Sequence, residues 1–172
     1  MKNYQTAALL AAVLFVSAPC PDAHSQTLRG MATAIDGDTI RMQDGKRIRL
    51  WGIDAPELEQ WCGDYQAGKV AKAFLEHVID KRPVTCTVKT TDQYGRPVAL
   101  CTSADGYDMG RAMVAAGHAW AFVRYSADYA KDEAKAKADK LGLHRFQCLE
   151  AWEWRKQNGH GQPPTPTLKG SR

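Results

Sequence analysis

The sequence predicts a mainly β domain of the α+β class, in which five strands close into a small barrel accompanied by about three helices. Two observations carry this prediction. Five short segments alternate apolar and polar side chains between turn residues, and an amphipathic helix separates the third of them from the fourth. These features favour a closed barrel of the OB type, and an open α+β sheet with the same number of strands is the alternative.

The first three strands are predicted as a meander over 28–35, 40–42 and 47–53. The turns that join them carry the signals Asp36-Gly37-Asp38-Thr39 and Asp44-Gly45, and the second signal is typical of a two-residue hairpin. The third strand ends in an Asp-Ala-Pro sequence, because proline supplies no donor to a sheet and favours an extended residue before it.

The helix between the third and fourth strands places its apolar side chains on one face of residues 67–79, and Asp64 is its expected N-terminal cap. The remaining predicted elements are two strands and two helices, over 83–90, 98–102, 108–116 and 128–141. A glycine follows each of the two later helices, as is common where a helix stops.

The first 25 residues resemble a secretory signal peptide. Lys2 is the only charged residue before the apolar run 7–16, and Ala23-His24-Ser25 supplies a small-x-small cleavage site. A membrane anchor is the weaker alternative, because the apolar run is far shorter than the roughly 20 residues that a spanning helix needs. Lipid attachment at Cys20 is a further alternative. We expect cleavage after Ser25 and a secreted or periplasmic protein without stable membrane association.

Cleavage would leave a domain over 26–156, expected to be a monomer, and a tail over 157–172 whose glycine and proline content predicts disorder. The full chain has a formal net charge of +4, from 23 Lys and Arg against 19 Asp and Glu. Residues 1–25 contain one charge of each sign, so their removal leaves this balance unchanged. A mildly basic domain is compatible with a polyanionic partner but does not require one.

The predicted domain retains an even number of cysteines: Cys62, Cys86, Cys101 and Cys148. In an exported chain this predicts two disulfides, with three pairings open on the count alone. Metal binding by the thiols is the competing interpretation, and no C-x-x-C spacing supports it.

The hairpin between the fourth and fifth strands selects one of these pairings. If Gln93 and Tyr94 are the centre of a two-residue turn, Cys86 lies directly opposite Cys101, at a separation that suits a disulfide. The pairing Cys62–Cys148 then follows by elimination. A turn of a different length would shift the register and remove this argument.

Two carboxylates lie at or just beyond the ends of adjacent antiparallel strands, at Asp38 and Asp54. The meander can bring them together, and two carboxylates with a main-chain carbonyl and water are ligands that suit a hard cation such as Ca²⁺. Zinc is disfavoured because no His or Cys lies nearby in the sequence. Each segment taken alone is equally typical of an ordinary polar turn or loop.

Three segments together resemble the staphylococcal nuclease (thermonuclease) family: 35–39, 49–57 and the motif Tyr94-Gly95-Arg96. The resemblance covers about residues 28–143. It implies a calcium site formed by Asp38, Asp54 and the main-chain carbonyl of Ala55, where the family usually has threonine. It also implies catalytic roles for Arg49, Glu57 and Arg96.

The implied activity is calcium-dependent hydrolysis of DNA and RNA with little sequence preference, leaving 3′-phosphates. Glu57 would act as general base toward a water molecule. Arg49 and Arg96 would hold the phosphate and stabilise its developing charge, since a pKa above 12 makes arginine a poor proton donor. The alternatives are a non-catalytic nucleic-acid-binding OB module and an exported domain in which calcium is purely structural. All of the acidic and arginine positions that the family uses for catalysis and calcium binding are present in this sequence, which favours the enzyme over a binding module.

The sequence departs from the family at positions that contact substrate. Tyr94 and Tyr125 are the expected substrate-binding residues, by stacking on bases or touching a phosphate, and the alternative is that either ring is part of the core. Gln93 stands where the family has lysine, and Val123 replaces a second tyrosine. The loop after Glu57 is short and carries Trp-Cys in place of lysines.

Overall fold

A computed structural model describes residues 26–159. The strands are β1 (Thr27–Gly30), β2 (Ala32–Ala34), β3 (Thr39–Met42), β4 (Arg47–Leu50), β5 (Ile53–Asp54), β6 (Val84–Thr91), β7 (Pro97–Thr102) and β8 (Trp120–Ala121). The α-helices are α1 (Ala67–Ile79), α2 (Met109–Ala115), α3 (Ala130–Ala138) and α4 (Ala151–Gln157), and a 3-10 helix covers Gly142–Arg145. The predicted signal peptide and residues 160–172 of the predicted tail lie outside the described residues.

Six strands form one curled sheet in the order β1-β6-β7-β4-β3-β2. Its two edge strands, β1 and β2, are consecutive in the chain and are separated by Met31 alone. One residue cannot span the width of a flat six-stranded sheet, because neighbouring strands lie almost 5 Å apart. The sheet therefore curls until its edges approach each other, and the mixed α+β architecture agrees with the prediction.

The predicted count of five strands is wrong. The first predicted strand breaks at Met31, because β1 pairs with β6 whereas β2 pairs with β3 on the other edge. The third breaks at Gly52, which has a φ of 72° and turns the chain so that β5 pairs with β8 in a separate two-stranded sheet. Residues 26–159 contain four α-helices instead of about three, since α4 lies in a segment for which no helix was predicted.

Both predicted two-residue turns are one residue longer in the structure. In the first, the N–H of Met42 donates to Lys46, and Gly45 has a φ of 85°. In the second, the N–H of Asp92 donates to Arg96, and Gly95 has a φ of 78°. A three-residue loop that ends in a left-handed glycine is a common hairpin connection, and only glycine adopts that conformation without strain.

A bulge compensates for the longer turn between β6 and β7. The extra turn residue would move Cys86 out of register with Cys101, but the pairing shifts back by one residue between Val88 and Thr90. The cysteines are therefore opposite each other and are joined, as are Cys62 and Cys148. Both disulfides are the predicted ones. The three-residue turn and the bulge that bring Cys86 opposite Cys101 were not predicted.

The buried core lies between the concave face of the sheet and helix α1. The fully buried members include Ile40, Ile48, Leu50, Leu75, Ile79, Val84, Met109 and Met113. Helix α1 begins after Gln66 rather than after a capping Asp64, and α2 has Asp108 as its N-cap, whose carboxylate accepts from the Arg111 N–H. None of the described helices is long and apolar enough to cross a membrane.

Candidate active site

The turn between β2 and β3 is held by Asp36, whose Oδ1 accepts from the N–H groups of Asp38 at 2.9 Å and Thr39 at 2.7 Å. Gly37 packs tightly here, because a Cβ at this position would lie 2.6 Å from Ala55 and 2.8 Å from Ala71. Burial, reinforced by the neighbouring Asp38 carboxylate, raises the pKa of Asp36 to about 7. The turn is therefore fixed against both the loop after β5 and helix α1.

Arg49 joins the two predicted metal ligands. Its Nη1 donates to Asp38 Oδ1 at 2.7 Å and its Nη2 to Asp54 Oδ1 at 2.8 Å. The other oxygen of Asp38 accepts from the N–H of Ala55 at 2.9 Å. Burial opposes the charge of Arg49, but Asp38 and Asp54 raise its pKa above the usual range. The structure thus brings four of the predicted site residues together.

Glu57 reaches this cluster through a residue that the sequence interpretation missed, Arg155 of α4. Arg155 Nη1 donates to Glu57 Oε1 at 2.7 Å, and its Nη2 donates to Asp54 Oδ2 at 2.6 Å. Burial raises the pKa of Asp54, and the guanidinium groups of Arg49 and Arg155 oppose that rise. The result is a chain of alternating charges in the order Asp38, Arg49, Asp54, Arg155, Glu57.

A weak signal for Arg155 exists in the sequence. Ala151 and Arg155 are four residues apart, the spacing of one helix face. In the structure both lie buried on α4. Cys148 lies just upstream and, once paired with Cys62, anchors this segment close to the loop after Glu57. The pairing was predicted, but no helix was assigned after it.

Arg96 does not enter the cluster. Its Nε donates to the buried Asp92 carboxylate at 2.7 Å, and its guanidinium lies over the Tyr94 ring at 5.7 Å. Within residues 26–159 it makes no hydrogen bond or ion pair to Arg49, Asp54 or Glu57. Its position is nevertheless close, because β4 and β7 are parallel neighbours in which Arg49 pairs with Val98, two residues after Arg96.

The two tyrosines predicted to bind substrate differ in environment. Tyr94 is 64 % exposed at the tip of the β6–β7 hairpin, beside Arg96. Tyr125 is half-buried and packs its ring edge-on against Phe122, with centroids 4.6 Å apart. It also lines a small cleft with Arg49 and Val98.

The loop that carries Glu57 is held from two sides. Gly68 of α1 packs against the Glu57 main chain, where a Cβ would overlap its carbonyl oxygen. The buried Gln60 accepts from the Glu57 N–H at 3.3 Å and donates to the Leu149 carbonyl at 2.6 Å. The Cys62–Cys148 disulfide then ties the end of this loop to the segment before α4.

The donor set fits a divalent cation with oxygen ligands. When Asp36, Asp38, Asp54 and Glu57 are ionised, the charges of Arg49 and Arg155 leave two negative charges in excess. No group of three or more His, Cys, Asp or Glu side chains in the described part of the chain forms a preformed metal centre. Two carboxylates and the Ala55 carbonyl, completed by water, are nevertheless ligands that suit a hard divalent cation.

Carboxylates and guanidinium groups meet at one end of the curled β-sheet, an arrangement that suits the hydrolysis of phosphodiester bonds. Residues 47–145, more than half of the chain, match the model of the family described as Staphylococcal nuclease homologue. The chain therefore belongs to the staphylococcal nuclease family. Asp38 and Arg155 lie on either side of the matched segment.

Several proteins are similar to this chain over most of its length. It is 33 % identical to a protein named uncharacterized endonuclease from Escherichia coli O157:H7, over 79 % of this chain and 87 % of the relative. It is 31 % identical to micrococcal nuclease of Shigella flexneri, over 85 % and 88 %. The succinoglycan biosynthesis protein ExoI of Rhizobium meliloti (strain 1021) is 36 % identical over 72 % of this chain and 68 % of that protein.

Proposed function

We propose that this nuclease is a calcium-dependent endonuclease that hydrolyses DNA and RNA and leaves 3′-phosphate products. The observation that carries the proposal is the pairing of Arg49 with Asp38 and Asp54, which places a guanidinium beside both predicted cation ligands. Membership of the staphylococcal nuclease family supports the same activity, as do relatives named endonuclease and micrococcal nuclease.

Asp38, Asp54 and the main-chain carbonyl of Ala55 would hold the calcium ion. When bound, the ion supplies Lewis-acid polarisation of the phosphoryl oxygen and positive charge where negative charge develops. The buried Asp54 is held on both of its oxygens, so its carboxylate is fixed before any ion binds. A ligand fixed in advance loses less freedom when the ion binds.

Glu57 serves as the general base. Its side chain is 32 % exposed, whereas that of Asp54 is fully buried, so water reaches Glu57 more readily. Only Oε1 of Glu57 is engaged by Arg155, and Oε2 accepts no hydrogen bond from the described residues. Oε2 is therefore the oxygen that takes the proton from the attacking water.

Arg49 and Arg96 have different electrostatic roles. Both terminal nitrogens of Arg49 bind carboxylates, so Arg49 sets the geometry of the site and lends its charge to the phosphate. The ion pair of Arg96 uses Nε, and its terminal nitrogens make no hydrogen bond to the described residues. Arg96 therefore binds the phosphoryl oxygens through its fork.

Tyr94 and Tyr125 bind the nucleic acid beside Arg96 and Arg49 respectively. The exposed ring of Tyr94 offers a stacking surface next to Arg96, and Tyr125 lines the cleft beside Arg49. Base stacking on aromatic rings tolerates any sequence, because every base has a π-face. This suits an enzyme that cuts DNA and RNA with little sequence preference.

The fold and the location belong to the same proposal. Counting β1 and β2 as one strand bent at Met31 gives a five-stranded barrel of the OB type, with β3, β4, β6 and β7. Two disulfides suit an oxidising compartment, so we assign the protein to the periplasm or the exterior after removal of residues 1–25. It acts there as a monomer.

The test is digestion of plasmid DNA, single-stranded DNA and RNA by the protein starting at Gln26, in calcium and then in chelator. We expect cleavage only in calcium, with products whose ends are 3′-phosphates by phosphatase treatment and end labelling. Asp38→Asn should abolish cleavage, whereas Asp44→Asn should not, because Asp44 is an exposed carboxylate at the tip of the β3–β4 hairpin. A folded protein that binds nucleic acid without cutting it would instead be a binding module.

A further inference from the structure

Helix α4 places a buried cation inside the proposed active site. The side chain of Arg155 is 7 % exposed, and its two terminal nitrogens bind Asp54 and Glu57. Its Nε is buried with no hydrogen-bond partner among the described residues. Burying a guanidinium with an unsatisfied donor is unfavourable, so packing alone does not explain the position of this side chain.

We infer that Arg155 is a positioning residue for the reaction, which fixes the carboxylate of Glu57 next to that of Asp54. This inference rests on the proposed nuclease function. Without Arg155, two carboxylates that repel each other would share the site, and Glu57 would turn toward solvent. Arg155 opposes that movement because it binds one oxygen from each of them at 2.6–2.7 Å.

Arg155 is less accessible than the carboxylate that it binds. The side chain of Glu57 is about one-third exposed, whereas that of Arg155 is 7 % exposed. The bond from Arg155 occupies Oε1 of Glu57 and fixes the direction of Oε2, which receives the proton. Arg155 is therefore expected to act on the turnover rate through Glu57, without touching the nucleic acid.

Several contacts hold α4 in the orientation that this role requires. Trp152 packs against Trp120 and Phe122, with ring centroids 6.2 and 5.7 Å apart. The Cys62–Cys148 disulfide and the hydrogen bond from Gln60 to Leu149 connect the segment before α4 to the loop after Glu57. The carboxylate and its positioning residue are thus anchored to each other through the backbone as well as through their ion pair.

The test compares Arg155→Met with Lys156→Met. Both variants remove one positive charge from α4, but Lys156 is exposed and pairs with Glu153, away from the site. We expect kcat of Arg155→Met to fall about 10–100-fold, the usual effect of losing a partner that orients a site residue, with a much smaller change in KM. Arg155→Lys should recover part of kcat, and Lys156→Met should equal the wild type.

Calcium binding, measured by calorimetry, separates positioning from general structural damage. Removing a positive charge beside Asp54 should leave the calcium affinity of Arg155→Met equal to or tighter than that of the wild type. If Arg155→Met and Arg155→Lys both lost kcat, calcium affinity and native tryptophan fluorescence together, the role of Arg155 would be structural only.

The remaining outcomes are also decisive. An active wild type with an unchanged kcat in Arg155→Met would refute the inference alone. A faster Arg155→Met would make Arg155 an inhibitory contact and overturn the positioning role. A folded wild type that cuts no nucleic acid would overturn the proposed function, and the role of Arg155 with it.

Discussion

Gly68, in the first turn of α1, lies so close to the main chain of Glu57 that a Cβ at residue 68 would overlap the Glu57 carbonyl oxygen. The contact joins helix α1, which packs on the curled sheet, to the residue proposed as the general base. The N–H of the same glycine donates to the carbonyl of Gln60, three residues further along this loop, at 3.3 Å. The shape of the Glu57 loop therefore depends on the absence of a side chain at one helical position.

Gly68→Ala tests this dependence. Alanine in a helix is ordinarily more stable than glycine by about 1 kcal/mol, but overpacking costs about 1–3 kcal/mol. We expect a net loss of stability in urea unfolding and a fall in nuclease activity as the Glu57 loop moves. Lys69→Ala, an exposed change at the next position of α1, is the control. A stabilised and fully active Gly68→Ala protein would contradict the expected clash.

Glu57→Gln keeps the size of the side chain but removes its basic carboxylate. We expect the rate to fall about 10²–10⁴-fold if Glu57 is the general base. The measurement is calcium-dependent hydrolysis of single-stranded DNA, with circular dichroism to verify folding. Glu59→Gln makes the same change at an exposed residue of the same loop and should leave the rate unchanged. Near-wild-type turnover by folded Glu57→Gln would assign the base elsewhere.

Arg49→Lys and Arg96→Lys retain the positive charge but lose the planar fork of the guanidinium. A single ammonium cannot reproduce the bonds from Arg49 to both Asp38 and Asp54, so this variant should lose at least about 10²-fold in rate. Arg96→Lys should lose a similar factor through weaker phosphate binding. Arg47→Lys, at an exposed position of β4, is the matched control. If both site variants cleaved DNA as fast as Arg47→Lys, the planar fork of the guanidinium would not be needed for catalysis.

Asp38→Ala and Asp54→Ala should weaken calcium binding, because each removes one of two charged ligands. The measurement is the rise in melting temperature on adding calcium, which reports binding to the folded state. We expect the rise to disappear in both variants and to persist in Asp44→Ala. Asp54→Ala should also unfold more readily, since it leaves the two buried guanidinium groups without their shared carboxylate. An undiminished calcium effect in both variants would place the cation elsewhere.

The two disulfides should differ in their effect on activity. Cys62–Cys148 spans 86 residues and anchors α4, whereas Cys86–Cys101 spans 15 residues and joins neighbouring strands. On the loop-entropy account they stabilise the protein by about 4.5 and 3 kcal/mol respectively. Replacing Cys62 and Cys148 by alanine should therefore reduce both stability and kcat.

The double alanine variant of Cys86 and Cys101 is the control for that experiment. It should lose stability but keep kcat at temperatures where it remains folded, since this disulfide lies in the sheet and does not anchor α4. Equal kcat values for the two double variants would show that anchoring α4 does not influence the reaction.

The register of the β6–β7 hairpin could not be predicted from its local sequence alone. Asp92 and Gly95 marked the turn correctly, but turn length depends on backbone geometry that the residue types alone leave open. The bulge between Val88 and Thr90 then restored the register of Cys86 with Cys101. The disulfide was predicted correctly because two one-residue differences cancelled.

The sequence by itself determined the residue types at the site, the order of its carboxylates and arginines, and the helix over 67–79. These features are local, since strand alternation, helical periodicity and short motifs are carried by neighbouring residues. Only the tertiary structure decided the breaks at Met31 and Gly52, because each depends on which distant strand is the partner. The same holds for Arg155, which is 98 residues from Glu57 in sequence and meets it only after α4 packs against Trp120 and Phe122.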